Sequence, residues 1–119
     1  MPLRVLLVDD EADLIELLAM ALQGHHDVVT AKNGAEALEV ILREPPDAIV
    51  LDLMMPVMSG EELLAELDAR GIKLPVIVAS ADRNAEARCR ELGVQHCLQK
   101  PYRLQKLLDL LQLVSSSKS

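Results

Sequence analysis

Three stretches of the chain are apolar without alternation: Leu3 to Val8, Ala48 to Leu51 and Leu74 to Ala79, interrupted only by Arg4 and Pro75. A strand with one wet face alternates apolar and polar residues. Continuous runs instead fit parallel strands that are covered on both faces. Asp27 to Ala31 and Gln95 to Gln99 read as two weaker strands, so the runs recur at roughly twenty-residue spacing with a helical pattern after each. Parallel strands need crossovers, and those crossovers are right-handed. The expected fold class is therefore α/β: a doubly wound five-stranded parallel sheet in the order 2-1-3-4-5, with five helices on both faces.

The helices carry readable boundaries. Leu14, Leu17, Leu18, Ala21 and Leu22 form an i, i+3, i+4, i+7, i+8 stripe, which Gly24 ends. Asn33 with Glu36, and Ser59 with Glu62, have capping-box spacing. Pro45 and Pro46 close the second helix, and Gly71 closes the third. A fourth, over 83–92, has only Ala85, Ala87, Cys89 and Leu92 as apolar material, so it is expected to be the least firmly docked. The last, over 103–114, turns Leu104, Leu107, Leu108 and Leu111 inward. Residues 1–114 then form one domain, and 115–119 a polar tail or linker remnant.

Composition narrows the function classes. The 119 residues can bury roughly 65% of the surface that the unfolded chain exposes. That core is aliphatic, since Tyr102 is the only aromatic residue. Acidic residues number 19 against 12 basic ones, a formal charge of -7. This balance argues against nucleic acid or an anionic membrane as the main partner, because both reward clustered Lys and Arg. No apolar run approaches the ~20 residues needed to cross a bilayer. Acid follows the first apolar run too early for a signal peptide, so a cytoplasmic location is expected. Cys89 and Cys97 lack the spacing of a disulfide framework or a structural zinc site.

A doubly wound sheet collects its functional groups at the carboxyl ends of its strands. Here strand one ends in Asp9 and Asp10, strand three in Asp52, strand four runs into Ser80, and strand five into Lys100. A helix cap explains Asp10 alone and a surface turn explains Ser80 alone, but neither explains four strand ends with compatible chemistry. Three carboxylates repel one another unless a cation sits among them, and Mg²⁺ suits an all-oxygen site. In such a site Asp52 can attack phosphorus, Lys100 can neutralise the equatorial oxygens, and Ser80 can donate to one of them.

These residues resemble the receiver domains of two-component response regulators. The likeness rests on VLLVDDE, IVLDLMMPVMSG, VIVASA and the Lys100–Pro101 pair, and runs from Val5 to about Leu111. It implies that Asp52 is the phosphoacceptor and that Asp9 and Asp10 hold Mg²⁺ with Asp52 and the backbone carbonyl of Met54. It implies Ser80 as the switch hydroxyl, Lys100 as the phosphate-binding lysine, and a cis Lys100–Pro101 bond, with Pro56 and Gly60 shaping the loop after Asp52. The implied partners are a histidine kinase or phosphotransfer protein and a downstream effector. The implied role is that of a signalling phosphoacceptor rather than a metabolic enzyme, with Mg²⁺-dependent autophosphorylation and autodephosphorylation. The chain departs from the family at Cys97, where switching receivers carry an aromatic ring, and at Arg103, where a capping acid is usual.

Weaker signals have plain readings. His25, His26 and His96 show no metal-ligand spacing, and Arg83, Arg88 and Arg90 read first as a solvated face. Leu110, Leu113 and Val114 leave a homodimer seam and ordinary edge packing both open. Two rival functions are a receiver fold that serves only for docking and a phosphatase with an Asp nucleophile. The intact acid pair, Asp52, Ser80 and Lys100 oppose the first. The second would need a further acid two residues beyond the nucleophile; after Asp52 that place holds Met54, and after Asp9 it holds Glu11.

Overall fold

The computed structural model describes residues 2–117. Five strands and five helices alternate: β1 (Arg4–Val8), α1 (Ala12–Leu22), β2 (Asp27–Ala31), α2 (Gly34–Arg43), β3 (Ala48–Leu51), α3 (Gly60–Ala69), β4 (Val76–Ser80), α4 (Ala85–Leu92), β5 (His96–Gln99) and α5 (Leu104–Ser117). All pairings are parallel and the order is β2-β1-β3-β4-β5. The register sets Val8 beside Leu51 and Ser80 beside Gln99, which brings the carboxyl ends of the central strands together.

The continuous apolar runs are explained by two cores. Val5 and Leu7 of β1 point to one face, where they meet Leu22 of α1 and Leu107, Leu111 and Val114 of α5. Leu6 and Val8 point to the other, against Ala37 and Ile41 of α2 and Leu63 and Leu67 of α3. Successive strand residues alternate faces, so a strand with helices on both sides must be apolar throughout. Under α4 lies a smaller cluster, built on Leu53, Val78 and Cys89. Only Ala85 and Cys89 of α4 are buried, and Asn84 makes no side-chain cap bond. The thin docking expected of this helix is what the structure has.

Several local expectations shift. In α1 the buried residues are Ile15 and Leu22, whereas Leu17 of the expected stripe is 67% exposed. Leu14, Leu17, Leu18 and Ala21 line a groove, with Leu18 also packed against the core. The stripe pattern was too broad to separate a core face from a groove wall beside it. Ser59 and Glu62 complete the capping box of α3, but Glu36 accepts from Lys32 N rather than from Asn33, so α2 has only the Asn33 half. In α5 Leu104 is partly exposed, while Val114 is buried and Leu110 packs against the same core, leaving Leu113 outward. The helix continues to Ser117, so the expected polar tail begins inside it; residues 118–119 lie outside the described ones.

His26 has a structural role in the turn after α1. Its Nδ1 accepts from Leu3 N at 3.0 Å, which requires a neutral ring. Burial, then the neighbouring His25, lowers its pKa from the ordinary 6.5. The unfolded chain therefore takes up this proton first. The stabilisation is present above the unfolded value and is lost as pH falls through the depressed one. Between about pH 7 and pH 5 the melting temperature of the wild type should drop by about 2 °C more than that of His26→Asn. Parallel pH profiles would contradict this assignment.

Candidate functional site at the carboxyl edge of the sheet

Backbone pairing at the strand ends carries the site. Asp9 N donates to Ala31 O at 3.1 Å and Asp52 N to Val8 O at 3.0 Å, which holds the ends of β1 and β3 in register. Lys100 N donates to Ser80 O at 2.8 Å, tying the end of β5 to that of β4. The Lys100–Pro101 bond is cis. After β3 the chain turns sharply: Val57 adopts φ 68°, a strained left-handed conformation for a β-branched residue. Gly60 opens α3 against the backbone of this turn. A Cβ there would stand 2.4 Å from Asp52 O, so only glycine permits the approach.

The expected groups meet. Asp9, Asp10 and Asp52 each offer a carboxylate oxygen, and these oxygens lie within 4.8 Å of one another. Asp9 and Asp52 are buried, whereas Asp10 is exposed. Lys100 Nζ lies 2.7 Å from Asp9 Oδ2, 3.6 Å from Asp52 Oδ2 and 3.8 Å from Glu11 Oε1. The remaining carboxylate oxygens bind backbone: Asp9 Oδ1 accepts from Glu11 N at 3.0 Å and Asp52 Oδ1 from Met54 N at 3.2 Å. Ser80 is fully buried at the end of β4, where its Oγ accepts from Asp82 N at 3.2 Å. Met54 stands at the rim, 65% exposed.

The charges are unbalanced. Burial raises the pKa of Asp52, and the charges of Asp9 and Asp10 push the same way; the Met54 amide and Lys100 oppose them without cancelling them. For Lys100, burial disfavours the ammonium, but its hydrogen bond to Asp9 and the charges of Asp52, Asp9 and Glu11 outweigh it and raise the pKa. A metal ion fits this donor set, because hard carboxylate oxygens with open, solvent-facing positions are what an oxygen-seeking divalent cation requires.

Glu11 and Tyr102 belong to the surroundings that sequence reasoning did not place. Glu11 follows the acid pair directly, and that adjacency was its only signal. Together with Lys100, Pro101, Leu104 and the α1 residues named above, they line a groove of about 500 Å³ beside the carboxylates. The Tyr102 hydroxyl is buried without a hydrogen-bond partner among the described residues, and burial raises its pKa. Arg88 is not simply solvated, since it pairs with Glu61 across α3 and α4. The three histidines join no metal cluster among the described residues.

An uncompensated buried carboxylate costs stability. Asp52→Asn should raise the melting temperature of the metal-free protein by about 3 °C. A divalent cation should then stabilise the wild type and leave the variant nearly unchanged. A lower melting temperature for the metal-free variant would contradict the charge reading.

Comparison with known proteins agrees with this architecture. A family model described as response regulator receiver domain matches residues 5–112. The chain is 39% identical over 111 residues to the response regulator MprA of Mycobacterium sp. (strain KMS), covering 91% of this chain and 48% of that protein. Against MprA of Mycobacterium leprae (strain TN) it is 38% identical over 109 residues, covering 89% and 48%. The chain thus spans about half the length of the curated relatives it matches. Among solved structures, the receiver domain of the Francisella response regulator 1452 aligns with a TM-score of 0.91 at 28% identity, covering 98% of this chain and 99% of that one. The chemotaxis response regulator CheY4 of Vibrio cholerae aligns with a TM-score of 0.84 at 28% identity, covering 96% and 99%. No helix among the described residues is long and apolar enough to cross a membrane. With its sheet order, its strand-end acids and a family match over nearly its whole length, this chain belongs to the response regulator receiver domains, the signalling domains of bacterial two-component systems.

Proposed function

We propose that Asp52 accepts a phosphoryl group from a phosphohistidine on a histidine kinase or phosphotransfer protein. The observation that carries this reading is the meeting of Asp52, Asp9, Asp10, Ser80 and Lys100 at the ends of four strands. A carboxylate oxygen of Asp52 forms the new P–O bond as the donor's P–N bond breaks, and the donor imidazole leaves with its electron pair. Lys100 sits 3.6 Å from Asp52, placed to neutralise charge on the phosphoryl oxygens. Ser80 Oγ, now an acceptor from Asp82 N, has a proton to donate to one of those oxygens. Asp9, Asp10, Asp52 and the Met54 carbonyl would hold Mg²⁺, which when bound supplies positive charge at the transferring group.

The groove between α1 and the start of α5 supports a protein donor. Its apolar wall of Leu14, Leu17, Leu18 and Ala21 ends at Glu11 and Lys100, beside the carboxylates. A helix docked there would bring its own side chain to Asp52. Residues 1–114 act as the receiver unit in this reading, with the polar residues from Ser115 leading toward an effector. Ser80, drawn to the phosphoryl oxygen, would carry the 81–84 loop and the thinly docked α4 with it. In this reading the chain is a signalling phosphoacceptor with only its own phosphorylation and dephosphorylation to catalyse.

Incubation with acetyl phosphate and Mg²⁺, followed by intact mass measurement, tests the proposal. Wild type should gain one phosphoryl group, and labelling should fall at least about tenfold with chelator and in Lys100→Ala. Asp52→Asn should not label. A variant lacking Asp52 that labels as fast as wild type would remove the phosphoacceptor assignment.

A further inference from the structure

Cys89 and Cys97 are eight positions apart in sequence, a spacing that belongs to no thiol motif, yet the fold brings them together. Cys97 lies on β5 opposite Val78, and packs against the cluster formed by Leu53, Val78 and Cys89 under α4. Cys89 and Cys97 thus share one small apolar cluster between α4 and β5. Cys89 is buried, while Cys97 is partly exposed. Leu64, Val76 and Val94 pack against this cluster and also line an open groove between α3 and the edge formed by β4 and β5, which gives small solutes a route toward it. We propose that Cys89 and Cys97 form a peroxide-sensitive dithiol, whose oxidation to a disulfide locks α4 onto β5.

The two sulfurs have different roles. Burial, and then the neighbouring Cys97, pushes the Cys89 thiol up to about 12, so Cys89 is a poor first nucleophile. Cys97, the more exposed, meets the peroxide. Its sulfur attacks one peroxide oxygen, the O–O bond breaks, and water leaves as Cys97 becomes a sulfenic acid. The Cys89 sulfur then attacks the Cys97 sulfur. The S–S bond forms, the S–O bond breaks, and the departing hydroxide takes the Cys89 proton as water. One peroxide is reduced to two waters as two thiols give one disulfide, a two-electron exchange on each side.

The anchorage of α4 makes this closure consequential. Neighbouring thiols must approach to about 2.05 Å to bond, which draws α4 toward β5. A helix that buries only Ala85 and Cys89, lacks a side-chain N-cap and is otherwise tied by the Arg88–Glu61 pair can make that movement. Once made, the link joins the helix covalently to β5, the edge strand of the sheet. The inference concerns the thiols and α4, and stands whether or not Asp52 accepts phosphate.

Purified protein treated with hydrogen peroxide, then mapped by peptide mass spectrometry, tests it. The expected product is a monomer lighter by two hydrogens, with Cys89 linked to Cys97 and both thiols restored by a thiol reductant. Amide exchange over 85–92 should slow about tenfold in the oxidised form. Cys89→Ser should instead leave a sulfenic acid at Cys97 that a dimedone probe captures. Wild type that yields sulfinic or sulfonic acid without the link, or only disulfide between molecules, would overturn the proposal. A link that leaves exchange over 85–92 unchanged would overturn the locking of α4.

Discussion

Lys100 faces more negative charge than it can balance. Its ammonium touches Asp9 at 2.7 Å and approaches Asp52 at 3.6 Å and Glu11 at 3.8 Å, with Asp10 close behind the pair. Much of the fold serves to hold this arrangement at the sheet edge. Asp9 and Asp52 are locked by backbone bonds from neighbouring strands, and Lys100 by the bond between its own N–H and Ser80 O. Two aliphatic cores, each closed by two helices, keep those strand ends from separating. The residual negative charge destabilises the free domain and favours a bound cation, a trade of stability for function seen at many active sites.

Stability is distributed unevenly around this centre. The faces under α1, α5, α2 and α3 are filled by Leu, Ile and Val, whereas α4 rests on Ala85 and Cys89. Elements with little buried apolar surface open at the lowest free energy, and mobile parts of switches are drawn from them. The neighbour of α4 is the Ser80 strand end. A hydroxyl that moves there acts on the part of the fold least able to resist. Cys97 of β5 packs against the cluster that holds Cys89, so sulfur lies between β5 and α4.

The strand order and the meeting of the polar strand ends were legible because they follow from periodicity and from where polar residues interrupt it. Asp9, Asp52 and Ser80 each mark the point where an apolar run stops, and Lys100 follows the weaker fifth strand, opening the Lys-Pro pair. What stayed illegible depends on rotation and on distant contacts. The apolar positions of α1 span too wide an arc for the sequence to say that Ile15 goes inward and Leu17 outward. Capping spacing identified Asn33, but could not say that the Glu36 carboxylate would choose Lys32 N. That Cys89 and Cys97 share a cluster follows from the docking of α4 on β5, which no local pattern encodes.

The account turns on the identity of one carboxylate. Acyl phosphates are reduced by borohydride to the corresponding alcohol, which converts a phosphorylated aspartate into homoserine. Protein treated with acetyl phosphate and Mg²⁺, reduced with borohydride and sequenced by mass spectrometry, should carry homoserine at position 52 and nowhere else. Homoserine at position 9 or 10 with an intact Asp52 would contradict the account.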